Sequence, residues 1–241
     1  MQTFKNILGI FFIIFIISCD SKTQKTNVTA YEDVKIVSAM KNVMWKGELQ
    51  GKVNLDTIST KKGLYGIGPE SYLTGEILIN DGKSYVSRVT SDSTMTVEKN
   101  FDVEAPFFVY ANVTEWTSVE LPTTIKTIQD VEKFIDENTK GFKRPFVCKL
   151  IGSVKTATIH IQNLPKGSKV SSPKEAHQGQ VNYKLKNEEV EIIGFFSTDH
   201  KGVFTHHDSN IHLHLITKDE NKMGHVDAVE FDKMILYLPQ K

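Results

Sequence analysis

This sequence has few cysteines and no excess of charge of either sign. Its 241 residues include 2 cysteines, and 29 basic residues balance 29 acidic ones. So few cysteines exclude a scaffold stabilised by several disulfides, and the fold must depend on a hydrophobic core, which 39% hydrophobic residues can supply. The charge balance lacks the basic excess of a nucleic-acid-binding protein, so no nucleic-acid partner is expected. Internal repeats and low-complexity blocks are also absent, and one compact unit is expected.

The N-terminus has the layout of an export signal. Lys5 precedes an apolar run at residues 7–17, which is too short to span a bilayer comfortably and is soon followed by Cys19. This order is typical of a lipoprotein signal, so residues 1–18 are predicted to be a signal peptide and Cys19 the lipidated residue. Residues 19–32 are polar and indicate a flexible tether. The protein is expected to be exported to the periplasmic or extracellular face of the cell envelope, with membrane contact through this lipid only. An ordinary signal peptide or an anchor helix is the alternative.

Residues 33–241 make up the predicted folded domain, and Cys148 is its single cysteine. An internal disulfide is therefore excluded. Cys148 lies in the apolar run FVCKLIG, which favours a buried structural thiol over a catalytic one.

Two segments have the apolar spacing of helices. Residues 34–45 repeat apolar side chains at helical intervals, and Asp33 is available as a cap. Residues 128–137 contain acidic side chains and follow Thr127, a favourable capping residue. We therefore predict one helix in each segment.

Alternating apolar and polar residues dominate the remainder. Residues 75–79 and 83–89 flank Asp81 and Gly82, whose positive backbone angles suit the tight turn of a hairpin. Further strands are predicted at PFFVYANV, RPFVCKLIGSV, TATIHIQNL, QVNYKL, EVEIIGFFS, NIHLHLIT and HVDAVEFD. The predicted fold class is α+β, with two packed β-rich halves of mostly antiparallel sheet and a few helices.

Residues 211–225, IHLHLITKDENKMGH, contain three histidines. His212 and His214 alternate with apolar residues on a predicted strand, so both imidazoles leave the same face of it. His225 follows a polar turn and can return beside them on the next strand. Three imidazoles can bind one cation and leave coordination positions open for substrate, as in catalytic zinc sites. Because a pair two residues apart also occurs by chance on surface strands, it is the third histidine that favours a metal site.

His206 and His207 lie just before this stretch, in FTHHDSN. Adjacent residues on a strand face opposite ways, so at most one of the two could join the other histidines. A polar loop is the favoured interpretation of this pair.

Glu76 stands in a glycine-rich stretch, GIGPESYLTGEILINDG, at the start of the first hairpin strand. A carboxylate there could be a metal ligand, a proton donor or an ordinary charge on an edge strand. Taken alone, the residues favour the ordinary charge.

The two stretches together resemble the α-acetolactate decarboxylase family. The family's N-terminal pattern, GxGTxxxLxGE followed by an apolar run and DG, is followed closely by GIGPESYLTGEILINDG. Its C-terminal pattern, GxHxHFxxxDxxxGGHxxxF, is met by SNIHLHLITKDENKMGHVDAVEF. The pieces APFFVYANV, VKTATIHIQ and EIIGFFSTDHKGVF lie in matching order. The resemblance runs from about Val37 to Leu238.

The resemblance implies a zinc-dependent lyase that converts 2-acetolactate, a small 2-hydroxy-3-oxo acid, to acetoin and carbon dioxide. His212, His214 and His225 would hold one zinc ion per chain, and Glu76 would be a catalytic carboxylate. A cation chelated by the substrate's carbonyl and hydroxyl oxygens would stabilise the electron pair left behind when carbon dioxide departs. Glu76 could then manage the proton that ends up on carbon. The family also implies a homodimer.

Three departures from the family pattern affect the implied site. Pro69 stands where the family has a threonine, and Ala157 stands where the family has an arginine in a KTR segment. The family's further active-site glutamate lies in a C-terminal extension that has no match before Lys241. Loss of a guanidinium removes a bidentate partner for the substrate carboxylate, for which Lys155 and Arg144 are the candidate substitutes.

These departures leave two alternatives to acetolactate decarboxylation. One is a different metal-assisted reaction on the same scaffold, such as hydrolysis or decarboxylation of another oxo acid. The other is a zinc-binding lipoprotein that binds a ligand without chemistry, which a lipid tether would concentrate at a membrane. An exchangeable water on the metal would support chemistry, whereas a fourth protein ligand would support a structural role.

Overall fold

The computed structural model describes residues Asp33–Gln240 as thirteen β-strands and three α-helices. The strands are β1 (Lys35–Val37), β2 (Val53–Asn54), β3 (Leu64–Pro69), β4 (Glu76–Asn80), β5 (Lys83–Val89), β6 (Met95–Lys99), β7 (Glu104–Ala105), β8 (Phe108–Asn112), β9 (Trp116–Glu120), β10 (Phe146–Ile161), β11 (Val181–Phe196), β12 (Ile211–Thr217) and β13 (Met223–Pro239). The helices are α1 (Met40–Lys46), α2 (Ile128–Asn138) and α3 (Pro173–Ala176), with short 3-10 turns at Leu55–Thr57 and Ser71–Leu73.

The strands form two main sheets that pack together. The first sheet has the order β1-β8-β3-β4-β5-β6, and the second has the order β10-β11-β12-β13-β9. Strand β10 also pairs with β13, so β10, β11, β12 and β13 form a closed ring of antiparallel pairings. Apolar side chains from both sheets meet in one buried cluster that includes Tyr65, Ile67, Phe195 and Met223. This arrangement confirms the predicted α+β class with two packed β-rich halves.

The predicted hairpin is confirmed. Strands β4 and β5 pair directly, and the turn between them has φ of 47° at Asp81 and 75° at Gly82. A Cβ atom on Gly82 would lie 2.2 Å from the carbonyl oxygen of Lys61, so only glycine fits there.

The two predicted helices have different outcomes. The second is confirmed as α2, and Thr127 and Asp130 form a reciprocal capping box at its start. The first is wrong over its N-terminal half, because Lys35–Val37 pairs with β8 as strand β1 and Ser38 has φ of 57°. Asp33 does not cap α1 and instead forms an ion pair with Lys143. Sheet pairing therefore overrides the local helical pattern in this segment.

In two places, a pair of strands that was predicted separately forms one long strand. Residues 144–154 and 156–164 contribute to β10, and residues 180–185 and 189–197 contribute to β11. Gly152, with φ of 153°, lies inside β10, and the pairing with β13 shifts register beside it. The irregular residue is thus accommodated as a bulge within the sheet and not as a turn.

Strand β3 was not predicted because it contains two glycines and a proline. The glycines are required by packing: a Cβ atom would lie 2.6 Å from the Phe108 ring at Gly66 and 2.6 Å from the Phe107 carbonyl oxygen at Gly68. The glycine-rich motif therefore lets Phe107 and Phe108, at the start of β8, approach β3 closely.

Cys148 is fully buried, and burial raises the pKa of its thiol to about 12. The thiol is therefore protonated at neutral pH, which confirms the prediction of a buried structural cysteine.

Residues 1–32 and Lys241 lie outside the described part of the chain. The signal peptide, the lipidation of Cys19 and the tether accordingly remain predictions. Within Asp33–Gln240, no helix is long and apolar enough to cross a membrane.

Candidate metal centre

Three buried histidines meet where β12 and β13 pair. His212 and His214 project from one face of β12, and Leu213 between them packs into the apolar core on the other. His214 lies directly opposite His225 in the β12–β13 register. The Nε2 atom of His212 lies 3.0 Å from Nδ1 of His225 and 3.1 Å from Nε2 of His214. The structure therefore brings together the three histidines that the sequence pattern singled out.

The electrostatics of these rings suit a cation. Burial, followed by the influence of neighbouring imidazoles, lowers the pKa of His214 to about 3 and those of His212 and His225 well below their usual value. Neutral rings each offer one lone pair. Nε2 of His212 faces two other ring nitrogens and can satisfy at most one of them with a hydrogen. A cation bound to all three nitrogens would remove this conflict, so the donor set fits zinc.

Glu76 faces the three histidines from the other sheet. It is the first residue of β4 and 3% exposed, and its Oε2 lies 3.7 Å from Nε2 of His214. The backbone N–H of Gln162 donates to Oε1 at 3.4 Å. Burial raises the pKa of the carboxyl group well above its usual value, although the Gln162 hydrogen bond opposes this shift. Burial excludes the interpretation as an ordinary edge-strand charge and leaves a proton donor or a metal ligand.

His160 was missed by sequence reasoning. It lies opposite His225 in the β10–β13 register, so His160, His225 and His214 form a row across three adjacent strands. Its Nε2 is 3.9 Å from Oε1 of Glu76, and its ring centroid is 4.6 Å from that of His225. The alternation in TIHIQ was an available signal, but nothing within the segment indicates which strand lies beside it.

A β-bulge directs Asp227 toward His160. Between Thr158 and Ile159 the β10–β13 register shifts, because β13 has one extra residue at this point. Oδ1 of Asp227 lies 2.7 Å from Nδ1 of His160 and accepts a hydrogen bond from it. His160, His225 and Asp227 also lie close enough to surround a cation. The short contact is already satisfied as a hydrogen bond, so the bulge serves to orient the imidazole.

Two further imidazoles border the group. The ring centroid of His206 is 5.2 Å from that of His225, and His177, directly after α3, is 6.4 Å from His160. Burial lowers the pKa of both rings. His206 and His207 lie in a loop, as predicted, and His207 is exposed.

The position of the family's arginine does not face this site. Ala157 is buried in the apolar cluster that contains Leu213, on the face of β12 opposite to its histidines. A longer side chain at 157 would therefore enter that cluster. Lys155 and Arg144 are held in ion pairs with carboxylates elsewhere, so neither candidate substitute contacts the histidines. Pro69, which stands where the family has a threonine, pairs with Glu76 across β3 and β4.

The cavity among these side chains is small. Its volume is about 30 Å³, room for one or two water molecules. Its apolar wall consists of Met40, Met44, Pro69, Leu73 and Phe107. A neighbouring cleft of about 590 Å³ shares His160, His177 and His206 with it. Among the described residues, no lysine or arginine lines either space.

Residues 36–240 match the family model described as alpha-acetolactate decarboxylase. The alpha-acetolactate decarboxylase of Bacillus subtilis (strain 168) is 28% identical over 209 residues, which are 85% of this chain and 77% of that protein. That of Brevibacillus brevis is 26% identical over 197 residues, 79% of this chain and 64% of the relative, slightly less than two thirds of its length.

Solved structures show the same fold. The crystal structure of alpha-acetolactate decarboxylase from Bacillus subtilis strain 168 superposes with a TM-score of 0.71 at 26% identity, covering 87% of this chain and 86% of that one. A Staphylococcus aureus protein of unknown function, described as similar to alpha-acetolactate decarboxylase, superposes with a TM-score of 0.72 at 18% identity, over 85% and 84% of the two chains. The match over residues 36–240 shows that this chain belongs to the α-acetolactate decarboxylase family.

Proposed function

We propose that the chain is a metal-dependent 2-acetolactate decarboxylase that forms acetoin and carbon dioxide. The observation that carries the proposal is the convergence of His212, His214 and His225 beside the buried carboxyl group of Glu76. Family membership supports the choice of substrate. The four side chains support the chemistry.

Zinc held by the three histidines is proposed as the resident ion, one per chain. When bound, it would act as a Lewis acid that stabilises the electron pair left by the departing carbon dioxide. Three neutral imidazoles leave the charge of a divalent ion undiminished and leave positions for two substrate oxygens. Because β12 and β13 already hold the rings together, binding requires little rearrangement of the backbone.

Glu76 is proposed to hold the proton that the product needs. Loss of carbon dioxide leaves an electron pair on the carbon that carried the carboxylate, and that carbon must be protonated to give acetoin. The raised pKa favours the protonated form of Glu76. The Gln162 N–H holds Oε1, and Oε2, which lies 3.7 Å from Nε2 of His214, is proposed to deliver the proton. Water in the adjacent cleft can restore the proton after each turnover.

The apolar wall is proposed to exclude water and to receive the substrate's methyl groups. A five-carbon acid is larger than a cavity of about 30 Å³, so side chains must move when it binds. Met40 and Met44 are the flexible members of this wall. Their displacement would open the cavity toward the bound substrate while keeping it dry.

A second candidate is action on a different oxo acid, or ligand binding without chemistry. The observation that favours it is the lack of any lysine or arginine lining the two spaces among the described residues, together with the burial of Ala157 in the core. Only imidazole and amide groups would then assist the metal in holding an acid. The proposed lipid on Cys19 would keep such a binder at the cell envelope.

Acetoin formation from racemic 2-acetolactate tests the proposal. The zinc-loaded full-length chain should form acetoin well above the spontaneous rate, and metal-free protein and His214→Ala should not. His207→Ala is the matched control, because it removes an exposed histidine from a nearby loop and should retain activity. Zinc binding with acetoin only at the spontaneous rate would overturn the proposal in favour of the second candidate.

A further inference from the structure

We infer that Gln162 is a substrate-recognition residue whose side-chain carbonyl oxygen accepts a hydrogen bond from the hydroxyl group of a 2-hydroxy acid. The inference rests on the proposed function and adds the group by which the site selects its substrate. Gln162 directly follows β10, is 3% exposed, and lines the small cavity beside Glu76 and His212.

Both hydrogens of the Gln162 amide are used within the protein. Its Nε2 lies 3.4 Å from Nε2 of His160 and 3.4 Å from Oε1 of Gln180. Asp227 holds the hydrogen on Nδ1 of His160, which leaves Nε2 to accept a hydrogen from the Gln162 amide. The hydrogen-bond network therefore fixes the amide nitrogen toward His160 and Gln180.

The carbonyl oxygen on the other side of this amide is left unpaired. Oε1 of Gln162 is buried and has no hydrogen-bond partner within Asp33–Gln240. Buried acceptors without a donor are rare in native proteins because their desolvation is uncompensated. Gln162 lines the cavity in which the proposed substrate must bind, so a hydroxyl group on that substrate is a donor of the required kind.

The orientation of Gln162 also decides which part of the substrate it can recognise. A carboxylate carries no hydrogen and cannot pair with a carbonyl oxygen, whereas the hydroxyl group on the adjacent carbon can. An oxo acid without that hydroxyl group would leave Oε1 unpaired in the complex. Sites built to pair with a substrate hydroxyl group discriminate strongly against analogues that lack it.

Calorimetry on the zinc-loaded full-length protein tests this inference with two stable acids. The first is 2,3-dihydroxy-2-methylbutanoate, and the second is 3-hydroxy-2,2-dimethylbutanoate, in which a methyl group replaces the 2-hydroxyl. The ratio is the affinity for the first acid divided by the affinity for the second. Because the zinc ion contributes to this ratio in every variant, the measured quantity is the change in the ratio between wild type and variant. Gln162→Leu should reduce the ratio by roughly 10- to 100-fold, as expected for one buried acceptor. Gln178→Leu, at an exposed glutamine nearby, should leave it unchanged.

Each remaining outcome either supports or overturns the inference. The inference is overturned if Gln162→Leu leaves the ratio unchanged. It is also overturned if Gln162→Leu lowers the affinity for zinc by as much as it lowers the ratio, since Oε1 would then serve the ion. Gln162→Met, which keeps the length of the side chain, must reproduce the leucine result if packing is not the cause. If Gln162→Leu produces the predicted ratio change but the wild-type protein forms no acetoin, hydroxyl recognition is supported and the decarboxylase proposal is refuted.

Discussion

Replacing His214 by asparagine should remove a defined part of the pH dependence of stability in the metal-free protein. Burial lowers the pKa of His214 to about 3, whereas an imidazole in the unfolded chain titrates near 6.5. Below pH 6.5 the unfolded state therefore binds a proton that the folded state does not, and acidification favours unfolding. For this ring the loss from pH 7.5 is about 1.4 kcal/mol at pH 5.5 and roughly 2.7 kcal/mol at pH 4.5.

Urea denaturation of both proteins in the presence of a chelator measures this effect. The free energy of unfolding is determined at pH 7.5, 5.5 and 4.5, and the difference between wild type and variant is compared at each pH. Groups that both proteins share cancel in that difference to first order, including Glu76, whose raised pKa acts in the opposite direction. On acidification, wild type should lose the stated free energy relative to His214→Asn. A difference that stays constant would mean that the ring is solvated, which would refute the reasoning.

The same variant separates metal binding from packing. Zinc at 100 times its Kd should stabilise the wild type by about 2.7 kcal/mol. His214→Asn should gain much less, and His207→Asn should gain as much as wild type because its ring is exposed and outside the cluster. An equal gain in His214→Asn would show that this ring does not hold the ion.

Three further substitutions test other parts of the structure. Asp227→Asn removes the anionic acceptor of the His160 Nδ1–H and should lower kcat/KM for 2-acetolactate roughly tenfold with zinc content unchanged; a loss of zinc would instead assign Asp227 to the metal. Met44→Ala should enlarge the cavity. In a competition assay it should raise the turnover of an analogue with an ethyl group in place of a methyl group, relative to 2-acetolactate. An unchanged preference would mean that this alkyl group does not contact Met44. Gly68→Ala would bring a Cβ atom within 2.6 Å of the Phe107 carbonyl oxygen. It should lower the free energy of unfolding by about 1–3 kcal/mol in urea, and an effect below about 0.5 kcal/mol would contradict the close approach.

Features that depend on neighbouring residues were predictable from the sequence. Helix α2 begins directly after Thr127, which forms a capping box with Asp130, and both partners of this box lie within a few residues. The β4–β5 turn follows from Asp81 and Gly82, because positive φ is a local requirement of a two-residue hairpin.

Features that depend on a distant partner were not predictable from the sequence. Lys35–Val37 has a helical apolar pattern but becomes β1, because β8 supplies hydrogen bonds that the segment itself cannot specify. The two strands predicted on either side of Lys155 are one strand, β10, because β11 and β13 pair with it on both sides. In each case, energy gained across the sheet outweighs local preference.

The candidate site also combines features that depend on neighbouring residues with features that depend on distant ones. Spacing alone placed His212 and His214 on one face, since strand alternation is a property of the backbone. The approach of His225 needed only a return turn to the adjacent strand. Glu76, His160 and the residues that orient them come from distant segments, and their meeting depends on register and on the packing of two sheets. Because a shift of one residue in register would turn every side chain to the opposite face, only the complete tertiary structure decides which groups surround the three histidines.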